Sequence, residues 1–180
     1  MKLELSWLTA KEELIMKNAK AIVSATILTI VAVGQIILSF VLYNENGNSI
    51  VRNIGWIILW ISAIFGWLPI YTLKKWGKPK GRGYVRTTVL VDRGIYTVVR
   101  HPQYLAGMLM GLALPLIAQH WIVAILGVIA IVIHYADTFA EEKSAIEKFG
   151  EEYKRYKETV PRVNFIVGLA RLLRHRREGH

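Results

Sequence analysis

One stretch of this sequence limits the possible folds more than any other: residues 21–43 contain no charged side chain. As an α-helix this stretch is about 35 Å long, enough to cross a bilayer core of about 30 Å. A second uncharged run, residues 53–73, has a similar length. Hydrophobic residues make up 53% of the chain and the mean hydropathy is +0.34, values typical of membrane proteins. The sequence therefore predicts an all-α, polytopic integral membrane protein.

The third apolar run begins at Tyr104 and ends at Ala136, and it is too long for a single crossing. It carries no charge if its two histidines are neutral, and as one helix it would extend about 50 Å. Pro115, Gln119 and His120 interrupt it near the middle. We therefore expect a tight hairpin with arms at residues 103–118 and 121–139. Both arms are short for full spans, which predicts tilting or local thinning of the bilayer, and the total is about four spanning helices.

Three further segments are predicted to lie at the membrane surface. Residues 1–20 mix apolar side chains with Lys and Glu, as in an amphipathic helix lying in the interface. Residues 141–157 are predicted to form a charged helix that emerges from the membrane. Residues 164–173 are predicted to form a surface helix, and the basic tail that follows suits anionic lipid headgroups.

The second span carries an aromatic stripe, Trp56, Trp60, Trp67 and Tyr71, on one helical face. Such a stripe usually packs against other helices or anchors a span at the interfaces. The alternative is a wall for an apolar substrate.

A long polar connection, residues 74–100, holds eight Lys and Arg residues and one acidic residue, Asp92. A connection of this length is usually functional or disordered. Gly81-Arg82-Gly83 follows no predicted strand and begins no predicted helix, so a dinucleotide-binding loop has little support.

Basic residues are unevenly distributed between the two sides of the predicted spans. Four precede the first span, one lies in the first loop, eight in residues 74–100, none in the hairpin turn and ten after it. By the positive-inside rule, both termini and the 74–100 loop face the cytoplasm. The expected location is the cell membrane, with several crossings.

Composition argues against several kinds of site. The chain has no cysteine, so a disulfide, a thiolate metal site and a cysteine nucleophile are excluded. The five histidines lack metal-ligand spacing, and no metal is expected. The net charge is +10, but no nucleic-acid-binding motif accompanies it, so membrane lipids are the expected partners rather than nucleic acid.

The segment Arg100-His101-Pro102 precedes the hairpin directly. Pro102 suits the first position of a helix, because its φ is fixed and its missing N–H would be unbonded there. The free N–H groups of the first turn carry partial positive charge, so Arg100, His101 and the helix start suit a carboxylate or phosphate. Glu141 and Glu142 offer the opposite charge. A ligand with both a carboxylate and an ammonium group, such as an amino acid, would satisfy both halves.

These segments resemble the isoprenylcysteine carboxyl methyltransferase family and its relatives, the membrane phospholipid N-methyltransferases. The resemblance covers roughly the C-terminal half of the chain and rests on Leu90-Val91, Gly94, Tyr96, Arg100-His101-Pro102, Tyr104, Glu141-Glu142, Phe149-Gly150, Tyr153, Tyr156 and Val160-Pro161-Arg162. The sequence departs from the family pattern at Ile95, Ala106 and Asn164. Asp137 lies about where the eukaryotic prenylcysteine enzymes carry an arginine.

The resemblance implies an S-adenosylmethionine-dependent methyltransferase acting on a lipophilic acceptor that enters from the bilayer. It implies a single membrane domain, residues 1–180, in which residues 74–180 form the catalytic part at the cytoplasmic face and residues 1–73 add the amphipathic helix and two spans. The residues it assigns to the cofactor are Leu90, Val91, Gly94, Tyr96, Arg100, His101, Tyr104, Glu141 and Glu142.

The nucleophile of the acceptor stays open at this point. The motif match is closer to the isoprenylcysteine group, whose acceptor is a carboxylate and would need a cation such as Arg100 to position it. An amine acceptor would instead need a base. His134 and Asp137 share a helical face with Glu141, and ionisable residues near membrane depth are functional candidates. The candidate catalytic residues are therefore Asp137, Arg100 and His134.

Two other functional classes remain as alternatives. One is a non-catalytic membrane protein that binds lipid or assembles with a partner. The other is a nicotinamide-dependent membrane reductase, which has less support because only the basic 74–100 loop could supply its phosphate contacts.

Overall fold

The computed structural model describes residues 2–78 and 87–178, and within them every regular element is helical. In chain order the α-helices are α1 (Lys2–Val41), α2 (Ser49–Trp76), α3 (Pro102–Ala118), α4 (Trp121–Phe149), α5 (Glu151–Thr159) and α6 (Phe165–Glu178), with a short 3-10 helix at Gly94–Thr97 before α3. The predicted all-α fold is confirmed.

In the part of the chain that the structure describes, three helices are long and apolar enough to cross a membrane: Ala19–Val41 within α1, the whole of α2, and α4. Helix α3 is apolar but shorter, about 26 Å. Many large apolar side chains point outward from these helices, among them Ile30, Ile57 and Val132. So much exposed apolar surface would be a liability in water, whereas lipid covers it without cost. The chain is a multi-pass membrane protein.

Two predicted boundaries were wrong. The amphipathic segment 1–20 is not a separate helix, because α1 runs without a break from Lys2 into the span and no Gly or Pro occurs before Gly34. Helix α4 does not end near residue 139 but continues to Phe149, and the break falls at Gly150, whose φ is +58°. Acidic residues do not end a helix, whereas a residue with positive φ does.

The extra length of α4 joins two segments that were predicted separately. His134, Asp137 and Glu141 share one helix, as predicted, and that helix continues through Glu142 to Phe149. At about 44 Å, α4 is also no longer a short arm that would need a thinned bilayer.

The predicted hairpin turn lies at Gln119 and His120, as expected from the sequence. Gln119 has a left-handed conformation, φ 50°, and ends α3, while Nδ1 of His120 accepts the N–H of Ile122 at 3.3 Å and caps α4. The Gln119 amide also donates to the carbonyl of Asn48 at 2.7 Å and accepts the Asn48 N–H at 2.8 Å. This pair of bonds ties the hairpin turn to the loop between α1 and α2.

The spanning helices approach closely at small residues. A Cβ on Gly127 of α4 would lie 2.1 Å from the carbonyl oxygen of Gly111 on α3, so only glycine fits there. Gln35 of α1 is fully buried and donates to the carbonyls of Gly111 and Val123, at 3.1 and 3.2 Å. Ser62 of α2 donates to the carbonyl of Ala106 on α3 at 2.7 Å. These contacts are typical of helix packing in membranes.

The aromatic stripe of α2 faces outward, with Trp56, Trp60, Trp67 and Tyr71 48–74% exposed. The stripe therefore does not pack against other described helices of the chain. Its exposure agrees with anchoring in the lipid interface. Trp67 alone of the four borders a cavity between the helices, described below.

The connection between α2 and α3 is shorter than predicted, because α2 continues through Lys74 and Lys75 to Trp76. The predicted loop segment with Gly81-Arg82-Gly83, Lys80 and Arg86 lies outside the described residues.

Candidate active site

Two segments about sixty residues apart meet at the start of α3. The Arg100 N–H donates to the carbonyl of Pro161 at 3.0 Å, and the His101 N–H donates to the carbonyl of Arg162 at 3.1 Å. Pro102 occupies the first position of α3, as predicted. The structure therefore joins the Arg100-His101-Pro102 and Val160-Pro161-Arg162 motifs through their backbones.

A buried ion cluster centred on Glu142 holds these two segments against α4. Glu142 is 3% exposed, and its Oε1 accepts Nη2 of Arg100 at 2.5 Å and Nε of Arg162 at 3.0 Å. Its Oε2 accepts Nη2 of Arg162 at 2.8 Å and lies 3.5 Å from Nζ of Lys157. The bond to Glu142 raises the pKa of Arg162. The guanidinium of Arg162 also stacks on the Phe139 ring at 3.8 Å.

Arg100 uses most of its guanidinium N–H groups in hydrogen bonds within the protein. Its Nη1 donates to the carbonyls of Lys157 and Val160, at 2.7 and 2.5 Å, while Nη2 serves Glu142. Among the described residues Nε is the one nitrogen of Arg100 without a hydrogen-bond partner. Arg100 is thus first a clamp between α4 and α5, and its Nε–H takes no part in that clamp.

A cavity of about 700 Å³, counting the part open to solvent, lies beside this cluster. Seven of the nine residues predicted to bind cofactor line it: Leu90, Val91, Tyr96, Arg100, His101, Tyr104 and Glu141. The other two do not. Glu142 is turned into the ion cluster, and Gly94, with φ +60°, packs its backbone against Thr72 of α2.

Sequence reasoning did not assign eight further lining residues to the cavity: Leu73, Thr87, Pro102, Gln103, Ala145, Phe149, Tyr153 and Tyr156. Ala145 and Phe149 follow Glu141 at intervals of four, so they share its helical face. The predicted helix over residues 141–157 already contains this periodicity, which could have identified both.

The lining is chemically mixed. It has a carboxylate (Glu141), a guanidinium (Arg100) and the start of α3, together with aliphatic side chains and the rings of Phe149, Tyr153 and Tyr156. Burial raises the pKa of Tyr153 to about 12 and also raises that of Tyr156, so both phenols stay neutral. The Tyr156 hydroxyl donates to the carbonyl of Tyr96 at 2.7 Å, which fixes one wall.

His101 is uncharged at neutral pH. Burial lowers its pKa to about 4, although the nearby Glu142 carboxylate acts in the opposite direction. The positive charge at this part of the cavity therefore comes from Arg100 and the helix start rather than from His101.

A second cavity of about 940 Å³, again counting the part open to the surroundings, lies between α1, α2 and α3. Its lining is Leu28, Thr29, Ala32, Ser62, Ala63, Gly66, Trp67, Ile70, Ala106, Gly107, Met110 and His134, and this set contains no Lys, Arg, Asp or Glu. His134 of α4 reaches it through a gap at Gly107, where a Cβ would lie 2.1 Å from His134 Nε2. Among the described residues, Nδ1 of His134 is buried without a hydrogen-bond partner.

Tyr104 stands between the two cavities. It lines the first cavity, and its ring packs edge-on against His134, which lines the second, with ring centroids 6.1 Å apart. His101 packs on its other side at 5.7 Å. Asp137, one turn after His134, is half-buried and accepts the Ser24 hydroxyl at 2.7 Å. Asp137 lines neither cavity but interacts electrostatically with both Tyr104 and His134.

Among the described residues no group of three or more His, Asp or Glu side chains could hold a metal ion.

Comparison with known proteins identifies one family. The family model described as phospholipid methyltransferase matches residues 51–152, more than half of the chain. The matched region includes α2 from Val51 onward, the whole of α3 and α4, and all the lining residues of the first cavity except Tyr153 and Tyr156. No curated protein and no solved structure matches the chain significantly.

Proposed function

The chain belongs to the phospholipid methyltransferase family, and we propose that it is an S-adenosylmethionine-dependent enzyme that methylates an amine of a membrane lipid. The observation that carries the proposal is the meeting of two unlike cavities at Tyr104 and His134. One is polar and aromatic, beside the ends of α2 and α4, and the other is apolar and open between membrane helices.

The residues of the first cavity fit S-adenosylmethionine. Its methionine part carries an ammonium group, which the Glu141 carboxylate can accept, and a carboxylate, which the Arg100 Nε–H and the free N–H groups of α3 can bind. The aliphatic and aromatic lining offers stacking surface for an adenosine. In this assignment Glu142 contacts no ligand but holds Arg100 in position.

The second cavity fits the acyl chains of a lipid acceptor. Its lining is almost wholly apolar and it opens between helices whose outer faces meet lipid. No basic residue lines it, so nothing there would position a carboxylate. His134 and Asp137 are instead suited to an ammonium headgroup. The amine acceptor is therefore favoured over the prenylcysteine carboxylate, which the sequence motif alone would favour.

Little covalent chemistry is required of the protein. When bound, S-adenosylmethionine would supply a methyl group activated by a sulfonium. The carbon–sulfur bond would break with its electron pair kept by sulfur, and the amine nitrogen would supply the pair for the new carbon–nitrogen bond. The chain must bring the amine into line, exclude water and remove the proton that an ammonium nitrogen carries. We assign proton removal to Asp137 acting through His134, which lines the second cavity beside Tyr104 and interacts electrostatically with Asp137.

The first test concerns the ammonium contact. Replacing Glu141 with Gln is expected to raise the dissociation constant for S-adenosylmethionine about ten- to a hundredfold, because a charge-assisted hydrogen bond is worth about 1.5–3 kcal/mol. Glu152→Gln, on the exposed face of α5, is the matched control and should bind as wild type. Equal constants for the two variants, measured by calorimetry in detergent, would contradict the assignment of Glu141.

The second test concerns orientation. By the positive-inside rule we expect both termini and the loop before α3 to face the cytoplasm. Since the chain has no cysteine, single cysteines at the exposed positions Asp92 and Glu45 can be labelled selectively in intact cells. We expect an impermeant maleimide to label Glu45→Cys and not Asp92→Cys. The reverse pattern would put the cofactor cavity on the wrong side of the membrane for a cytoplasmic cofactor.

A further inference from the structure

Helix α6 has an outer face that no other part of the described chain covers. Ile166, Leu169 and Leu173 are 50–68% exposed, and their spacing of three and four residues puts them on one face. Arg174 and Arg177 are exposed beside them. An apolar stripe flanked by arginines is the pattern of a helix that lies in a membrane interface.

The opposite face of α6 fixes its depth in the bilayer. The Phe165 ring packs on Phe65 of α2, with centroids 5.5 Å apart. The uncharged run of α2 ends at Leu73. Phe65 lies eight residues before that end, about 12 Å along the helix axis toward the middle of the span. Asn164 caps α6 by accepting the Val167 N–H at 3.1 Å. The start of α6 is therefore held against the membrane-spanning part of α2, within reach of the bilayer surface.

Helix α6 also braces the segment that lines the first cavity. Nη2 of Arg171 donates to the carbonyl of Thr97 at 2.6 Å, and Nη1 donates to the carbonyl of Thr159. At Gly168 the helix lies directly on the carbonyl of Val98, where a Cβ would clash. Thr97 and Val98 lie between Tyr96 and Arg100, two lining residues. A shift of α6 would thus move that wall.

We propose that α6 binds an anionic bilayer surface, with its apolar stripe in the hydrocarbon and Arg174 and Arg177 on lipid phosphates, and that this docking sets the shape of the first cavity. Cofactor affinity then depends on the anionic lipid content of the membrane. This second, regulatory part depends on the proposed function, whereas the docking of α6 does not. Charge selects anionic over zwitterionic lipid, because each arginine near an anionic surface is worth about fivefold in binding.

The test uses the full chain in nanodiscs of phosphatidylcholine alone, or of phosphatidylcholine and phosphatidylglycerol in equal amounts. An environment-sensitive fluorophore on Ala170→Cys, an exposed position of α6, reports docking. We expect blue-shifted emission and a several-fold lower dissociation constant for S-adenosylmethionine in the anionic discs. The double variant Arg174→Gln/Arg177→Gln should lose both responses and match wild type in phosphatidylcholine.

The matched control is Lys154→Gln/Arg155→Gln, which removes the same charge from α5, whose exposed residues are all polar. It should keep both responses, and an equal loss in this control would overturn the role of α6. Identical emission in the two bilayers would overturn docking, and a lipid-dependent emission with an unchanged dissociation constant would overturn the coupling. Absence of cofactor binding in every disc would count against the proposed function and leave the docking of α6 to be judged by emission alone.

Discussion

Replacing Glu142 with Gln is expected to destabilise the protein by about 3–5 kcal/mol, because it leaves Arg100 and Arg162 without their carboxylate in a buried site. Both guanidinium groups bond directly to Glu142. For a chain of this size the expected drop in the unfolding midpoint is on the order of 10 °C. Thermal unfolding in detergent, followed by tryptophan fluorescence, measures it.

The control for this prediction is the ion pair between Glu151 and Lys154, at 2.6 Å on the exposed face of α5. Exposed pairs add little to stability, so Glu151→Gln should unfold at the wild-type midpoint. A Glu142→Gln protein that also unfolds at the wild-type midpoint would mean that the buried cluster does not hold the Arg100 segment. The assignment of Glu142 as a positioning residue would then fail.

Replacing Asp137 with Asn is expected to lower the methylation rate about 10²- to 10⁴-fold, the usual contribution of a positioned base. The dissociation constant for S-adenosylmethionine should stay near the wild-type value, because the residues assigned to the cofactor are others. Single-turnover kinetics and calorimetry on the same preparation separate the two effects.

Ser24→Ala is the companion variant, because it removes the 2.7 Å hydrogen bond to Asp137 but keeps the carboxylate. We expect it to lose much less rate than Asp137→Asn. If Asp137→Asn methylates at the wild-type rate, the base assignment is wrong and an acceptor that needs no base, a carboxylate, becomes the better reading. If both variants fail to fold, Asp137 supports the contact of α1 with α4 rather than the chemistry.

The membrane architecture could be predicted from the sequence because its causes are local. Uncharged runs of more than twenty residues define α1 and α2, and the polar pair Gln119-His120 ends one apolar helix and begins the next. The residues lining the first cavity were largely predictable too, since eleven of the fifteen belong to the quoted motifs and seven were assigned to the cofactor.

The sequence could not predict that Glu141 lines the cavity while Glu142 lies in the ion cluster, because this difference depends on tertiary contacts. Adjacent residues point about 100° apart on a helix, and only the position of Arg162 decides which of the two is buried. The same holds for the course of α4 past Phe139. Charged residues there looked like a new helix, whereas the residue that ends α4 is Gly150.

The second cavity was beyond sequence reasoning for a further reason. Its lining residues come from four helices, α1 to α4, and His134 of α4 reaches it only because Gly107 leaves space. The sequence shows that Gly107 has no side chain, but it does not show that the imidazole of His134 occupies the space beside it. That depends on how α3 and α4 pack.

In the proposed function, a lipid amine in the second cavity receives a methyl group from S-adenosylmethionine in the first cavity. The most direct measurement is transfer of deuterated methyl from S-adenosylmethionine to a mixture of aminophospholipids and prenylcysteine analogues, with products resolved by mass. We predict labelled N-methyl phospholipid, and none from Asp137→Asn. Label in a prenylcysteine methyl ester, or in no lipid while the cofactor binds, would contradict the account.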